Sequence, residues 1–551
     1  MTLSRVASLL LPLVLVAPGI MLAQAPTPVP PAAPPTSPPP TPSVSCTNDR
    51  TPPNDGDLAL ASKNYPAAET FFRAVLAKDP TAPDASIGVV RALIGEDKVA
   101  EAKSMAATRL AEYPHSSLAQ VAVGEAAYRD ANFDAATQSV KQALAENSCE
   151  AQAIALYADL ESLFALFASE AKHIALAHKL RPTDELIRRD WIDSLPRKQR
   201  AIELEKYLGE ANHLSDKDRN DYTNESEHLK ARRPGECRIT SKTESVAIPF
   251  LPIFENATHP RAYGLDVSFN GTRRRMQVDT GASGITLTAG AAKRLNLTPE
   301  YHVHTGGIGD EGEVESYLAH VEKIQIGDVQ LSNCMVEVLG KSKLDVDGLI
   351  GIDVFSRWLA TLDYQNARLL LNPLPPRPSA AATPAPVTSA SIDQQAESEE
   401  ETPADPYYAP QMANWLHVIR IAHNLLLPAI INKSSQHYIE LDTGASQTVL
   451  SLPFAREVGK THEDTEVEFT GISGKVKKVY TVDSATLHFG NLALAATSYF
   501  AFDLTNISHD TGVEVSGFVG LPTLQRLTMT IDYRDNLIQL KYDPKHDTQR
   551  F

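Results

Sequence analysis

The sequence spells Asp-Thr-Gly-Ala-Ser twice, from Asp279 and again from Asp442, 163 residues further on. At average residue usage a given pentapeptide is expected roughly once in a few million positions, so coincidence is a poor account. The likeness extends well past the motif. Each copy follows a short alternating run, RMQVD or YIELD, and precedes a β-rich one. TAGAAKRLNL and SLPFAREVGK then read as one short helix apiece, and the Gly-rich turns TGGIGDEG and TGISGKV begin 26 and 28 residues past their aspartates. The ends align without a gap, GLIGIDVFSRWLATLDYQNARLLL beside GFVGLPTLQRLTMTIDYRDNLIQL, at a constant offset of 169 that pairs Gly348 with Gly517, Thr361 with Thr530 and Asp363 with Asp532. A unit of short, period-two strands bounded by Gly and Asn turns is therefore built twice, over residues 244–373 and 412–545. A third Asp-Thr-Gly, Asp510 to Gly512, lacks the Ala-Ser and the apolar lead-in and reads as a loop.

The other regions follow from shifts in composition. At 551 residues the chain is too long for one core and implies three or four domains. Residues 1–25 hold Arg5, the apolar run LLLPLVLVAPGIML and then AQA, the pattern of an export signal; a cleaved signal places the protein outside the cytoplasm, periplasmic or secreted, and an uncleaved anchor is the alternative. Residues 26–54 are a Pro-rich tract expected to be a disordered leader, and 374–411 a Pro/Ala/acidic linker of the same kind. Over 55–235 the chain turns rich in Ala, Leu, Glu and Lys and repeats at 34: Tyr65, Val99, Phe133 and Phe167, with Ala68, Ala102 and Ala136, and Leu76, Leu110 and Leu144. That is the tetratricopeptide period, and four helix pairs with a capping helix are expected.

Net charge of −17, with no basic stretch to offset it, argues against a nucleic-acid partner. No segment after the amino terminus is apolar enough to span a membrane. Cys46, Cys149, Cys237 and Cys334 form no CxxC pair and allow three disulfide pairings; neither they nor His302 and His304, which alternate as surface strand residues do, are spaced for a metal. No metal or cofactor is expected.

Each β-rich copy resembles a retropepsin-like aspartic protease subunit, on Asp279-Thr280-Gly281 and Asp442-Thr443-Gly444, the Gly-rich stretches Gly306-Gly307-Ile308-Gly309 and Gly471-Ile472-Ser473-Gly474, and the later Leu349-Ile350-Gly351 and Phe518-Val519-Gly520. The resemblance implies a multidomain α plus β chain, a tetratricopeptide-like solenoid followed by two all-β acid-protease lobes; the flexible linker between them lets the lobes pair as an intramolecular pseudo-dimer with one site, the competing outcome being that each pairs with its twin in another chain. It implies that Asp279 and Asp442 share a proton and activate a water against a peptide bond. Thr280, Gly281, Ala282, Thr443, Gly444 and Ala445 shape the loops, and the Gly-rich stretches act as flaps over a peptide or protein substrate. Ala282 and Ala445 stand where a hydroxyl would donate to an ionised carboxylate, so the expected pH optimum lies nearer mild acid or neutrality than strong acid. The repeats read either as a structural arm or as a groove that holds an extended peptide of a substrate or partner. The competing reading is a non-catalytic binding scaffold whose protease-like lobes hold peptide without cutting it; the intact aspartates in both copies favour the aspartic endopeptidase.

Overall fold

The computed structural model describes residues 20–24, 46–230, 237–241, 244–254, 260–340, 344–377, 405–421, 423–432 and 434–545. Residues 1–19 and 25 of the expected signal, 26–45 of the leader and 378–404 of the linker lie outside the described residues.

Eleven helices run from Asp55 to Lys230 among the described residues. Their starts keep the sequence period. First helices of successive pairs open at Pro83, Ser117, Ala151 and Glu185, and second helices at Tyr65, Val99, Phe133 and Phe167. Between them Lys63, Asp97, Ala131 and Ala165 all take left-handed backbone, with φ of 56, 57, 54 and 59°, the turn that ends a helix and frees its carbonyls for capping bonds. Ala68, Ala102 and Ala136 are buried where consecutive helices meet. Pairing runs once beyond the expected four: Glu185–Asp193 with Arg197–Glu210 makes a fifth pair, and Asp216–Lys230 follows. The last second helix opens at Arg197 rather than four residues later, so the period that revealed the others stops short of it. On the first helices Asp57, Arg91, Glu125, Asp159 and Asp193 recur at the same repeat position, and Arg91 closes on Glu125 at 2.6 Å, 34 residues away.

The β-rich copies fold into two nine-stranded sheets with the same strand order, element for element. In the first, Gly348–Gly351 runs parallel to Thr272–Asp279 and antiparallel to Ile285–Thr288. In the second, Gly517–Val519 does the same between His437–Leu441 and Val449–Ser451. Alternation buries one face of each strand; Leu265, Val267 and Phe269 are at most 1% exposed, and each such side chain contributes about 1.5–3 kcal/mol. A six-stranded sheet joins the copies. At its middle Trp358–Asp363 pairs with Leu527–Asp532 in a register that sets Thr361 opposite Thr530, its own counterpart in the duplication, with the hydroxyls 3.0 Å apart. A residue facing its own counterpart marks a two-fold, isologous contact, made here within one chain.

The helices pack on the second sheet. The Phe133 and Tyr438 rings meet edge to face at 5.0 Å, the Glu514 amide donates to the Arg129 carbonyl at 2.8 Å, and the Arg420 guanidinium sits over Phe167 at 5.5 Å. Asp405 accepts the amides of Ala168 and Ser169 at 3.0 and 3.1 Å, which caps the helix Phe167–Leu180. Packed chain therefore resumes at Asp405, seven residues before the second lobe was expected to begin, and Ala409 and Met412 are buried against Leu537.

Further expectations meet the structure here. Ile20–Gln24, read as part of an export signal, is an edge strand on Leu492–Phe502, the place that Arg238–Ile239 holds on Val329–Leu339 in the first sheet. Asp510 to Gly512 is not a loop. It ends the helix Thr505–Thr511, capped by left-handed Gly512 at φ 74°, because Asn506 to Asp510 can close helical hydrogen bonds that the polar letters alone did not announce. The disulfides are Cys46–Cys149 and Cys237–Cys334, one of the three pairings left open. His302 and His304 lie on the exposed side of Tyr301–Thr305, and no helix of the described residues is long and apolar enough to cross a membrane.

Candidate active site

Strands Thr272–Asp279 and His437–Leu441 each run out into an Asp-Thr-Gly loop at the two-fold contact, and the loops clasp one another. The Thr280 amide donates to the Thr443 hydroxyl at 3.0 Å and the Thr443 amide to the Thr280 hydroxyl at 2.9 Å. The hydroxyls pass the bond on, Thr280 to the Leu441 carbonyl at 2.5 Å and Thr443 to the Val278 carbonyl at 3.3 Å. Both threonines are 1% exposed, so these four bonds stand out of water's reach and fix the loops to each other.

The clasp puts Asp279 and Asp442 in mutual hydrogen-bonding contact. Each Oδ1 also accepts the amide of the glycine two residues on, at 2.9 Å from Gly281 and 2.7 Å from Gly444. The glycines have no room for a side chain. A Cβ on Gly281 would lie 3.1 Å from the Asp442 carboxyl carbon, and one on Gly444 would collide with the Asp279 carboxyl. Burial, then the Asp442 charge, push the Asp279 carboxyl well above the usual carboxylate range. Burial raises Asp442 too, but the Gly444 amide and a second from Ala445, at 3.0 Å, hold it down. Two carboxyls so close cannot both ionise, so the pair holds one shared proton between Asp279 and Asp442. Ala282 and Ala445 bring no side-chain donor to this pair.

The two Gly-rich stretches meet tip to tip. The Ser473 amide donates to the Ile308 carbonyl at 3.0 Å, the Glu311 amide to the Ser473 carbonyl at 2.8 Å, and the Asp310 amide to the Lys475 carbonyl at 3.1 Å. Gly307 packs on Ile472, and Gly309, at φ +130°, lies so near the Ser473 backbone that a Cβ has no place there. Ile308 rests among Val449, Phe502 and Phe518 of the second sheet. Gly471 and Gly474 form the tight end of the hairpin Thr470–Gly471 with Gly474–Lys475. Asp510, from the third Asp-Thr-Gly, presses against Gly306, where its Oδ2 is 2.7 Å from an added Cβ.

Three ionisable residues at the site went unread in the sequence. The His423 ring Nε2 is 3.2 Å from the Gly281 carbonyl oxygen, and burial lowers its pKa. Asp353 accepts the Gly284 amide on both oxygens at 3.0 Å, holding the end of the first loop. Glu440 is buried beside the pair, its carboxyl pushed well up by burial and by Asp442 and Asp279. Of the three only Glu440 carried a signal: in YIELD it stands two before the aspartate, so strand alternation turns both to one face. Among the described residues no cluster suited to a metal ion occurs.

Comparison with known proteins follows this division of the chain. Residues 265–357 match the family model described as "gag-polyprotein putative aspartyl protease", and residues 59–125 match the tetratricopeptide repeat model. The UBA domain-containing protein Mud1 of Schizosaccharomyces pombe is 28% identical over 116 residues, 20% of this chain and 34% of that protein, so the chain spans about a third of the curated relative it matches. Among solved structures, a retropepsin-like aspartic protease from Rickettsia conorii aligns at 21% identity over 25% of this chain and 96% of its own, TM-score 0.19. An aspartic proteinase from Irpex lacteus aligns at 14% over 55% and 99%, TM-score 0.31. A thermophilic tetratricopeptide protein from Thermus thermophilus aligns at 20% over 31% and 94%, TM-score 0.26. By the family models, the helical repeats resemble tetratricopeptide repeats and the first β-rich copy resembles aspartyl proteases, a peptidase likeness at the level of the family.

Proposed function

We propose that the protein is an exported aspartic endopeptidase with one site, built by the two β-rich lobes of a single chain acting as a pseudo-dimer. The observation that carries this reading is the contact of Asp279 with Asp442 on clasped loops under paired flaps. A water lying between the carboxyls and a substrate amide loses a proton to ionised Asp442 as its oxygen bonds to the carbonyl carbon, while protonated Asp279 gives its proton to the carbonyl oxygen. The tetrahedral product then collapses: the C–N bond breaks, the nitrogen takes the proton held by Asp442, and Asp279 recovers its own from the hydroxyl that becomes carbonyl again. Charge is conserved throughout, so the dyad returns to its starting state. The flaps close the peptide in by main-chain pairing and keep bulk water out. Export is supported by two disulfides, which persist in oxidising compartments, and the helical repeats are the arm that holds a protein substrate or partner.

A peptide-library digest with the purified full chain tests the reading. Wild type is expected to cut internal bonds, and Asp279→Asn and Asp442→Asn each to lower the rate by about 10²–10⁴-fold while keeping the wild-type circular-dichroism spectrum. Cleavage that survives both changes overturns it.

A further inference from the structure

The site is symmetric in its aspartates and asymmetric one step behind them. Position for position, Glu440 in the second lobe stands where the first has Gln277, each two residues before its aspartate. Both side chains are largely buried, Glu440 at 6% and Gln277 at 7% exposed. The Glu440 carboxyl reaches the dyad itself: its Oε1 is 3.3 Å from the position a Cβ on Gly281 would take, and Asp442 Oδ1 is 3.2 Å from that same point. Two carboxyls therefore flank one spot over the Gly281 backbone, on the lobe-two side only.

Among the described residues no cation pairs with the third carboxyl. The groups that face it are Asp442, Asp279 and the Tyr533 ring. The cations nearby are engaged elsewhere: Arg420 donates to the Tyr533 carbonyl at 2.8 Å, and His423 faces Asp353 and Asp442. No hydrogen bond or ion pair to the Glu440 carboxyl occurs among the described residues, and burial together with the neighbouring aspartates favours its protonated form. A glutamine, present at the matching place in lobe one, would fill the same volume without a charge. A lysine or arginine side chain brought by a bound substrate would meet the Glu440 carboxyl beside the dyad and stabilise its ionised form.

We propose that Glu440 is a specificity carboxylate that takes the side chain of a lysine or arginine flanking the scissile bond, on the side of the substrate that lies over the second lobe. This rests on the endopeptidase reading and sharpens its substrate class to peptides with a basic residue next to the cut. Gln277 leaves the other flank neutral, so the preference belongs to one side of the bond only.

The test uses peptides identical except for lysine or its uncharged isostere norleucine, placed in turn at each residue flanking the scissile bond, with the ratio of kcat/KM read for each position. Wild type is expected to favour lysine by about tenfold or more at one flank and to show a ratio near one at the other. Glu440→Gln, which keeps size and hydrogen-bonding atoms but not charge, brings the first ratio to about one. Glu440→Leu inverts it in favour of norleucine. A wild-type ratio near one at both flanks, or a lysine preference that survives both variants, overturns the proposal. A binding arm separates it from the hydrolytic reading: in the Asp279→Asn, Asp442→Asn double variant, fluorescence anisotropy of the labelled lysine and norleucine peptides reads the same selectivity without turnover. Lysine-selective binding there, lost in the added Glu440→Gln, upholds the subsite even where wild type cuts nothing; equal binding of the two peptides rejects it even where wild type cuts.

Discussion

Single residues set the pH range of the site. In the reaction proposed above Asp442 acts ionised, as the base, and burial raises it above the ordinary value of 3.8, so activity is expected to fall as pH drops through that raised value. Asp279 acts protonated in that reaction, as the acid, and burial and the Asp442 charge raise it too, so activity is expected to be lost again at higher pH. The product is a bell whose two limbs both lie above the free-aspartate value, measured as kcat/KM against pH; a rate still climbing below about pH 3 contradicts it. Ala445→Ser adds a donor to ionised Asp442 and is expected to move the acidic limb down by about one pH unit. Thr280→Ala removes two of the four buried clasp bonds. It is expected to destabilise the fold by about 1–3 kcal/mol in urea unfolding and to lower kcat with the alignment of the aspartates, whereas Thr280→Ser retains both. The aspartates, threonines and glycines of the clasp were all legible in the repeated motif. His423 was not, because its contact is with the other lobe's loop, 142 residues away, and no local pattern encodes such a meeting.

At the level of elements, the helical repeats carry a pH dependence of their own. Between the first helices and Arg420 lies a cavity of about 280 Å³ lined by Tyr128, Asp159, Glu170, Asp190 and Asp193 among others. Burial pushes the Glu170 carboxyl up to about 7, burial and the Asp193 and Asp184 charges take Asp190 to about 7, and Asp159 is raised well above its usual range. Carboxyls whose folded values exceed their unfolded ones near 4 stabilise the protein below about pH 4, and that contribution is lost as pH rises through about 7. Melting followed by the helical circular-dichroism signal of the full chain is therefore expected at lower temperature at pH 8 than at pH 5, with a smaller difference in Glu170→Gln. Helix starts were legible because each pair buries itself against the next and so must keep one length. The cavity was not: its acids come from three helices, and in sequence they read as an ordinary solvated face.

For the whole molecule the question is which chain supplies the second aspartate. Thr361 against Thr530 and Thr280 against Thr443 join counterparts of a single chain, so activity is expected at monomer mass in size-exclusion chromatography with light scattering. A mixture of Asp279→Asn and Asp442→Asn chains is then expected to stay inactive, whereas pairing between chains would restore wild-type sites in that mixture. The duplication and the order of the regions could be read from the letters. The docking of the helices on the second sheet, the pairing of the cysteines and the strand at Ile20–Gln24 could not, since each joins segments whose separation in sequence carries no periodic signal. One consequence belongs to the closed flaps. Three main-chain hydrogen bonds tie Ile308, Asp310 and Glu311 to Ser473 and Lys475, and a fourth runs from the Lys477 amide to the Asp310 carboxylate at 2.7 Å. On the proposed reading a polypeptide reaches the dyad only after these part, so stopped-flow capture is expected to saturate with rising peptide concentration at a ceiling set by the protein's own opening, a gate timed by the chain rather than by collision.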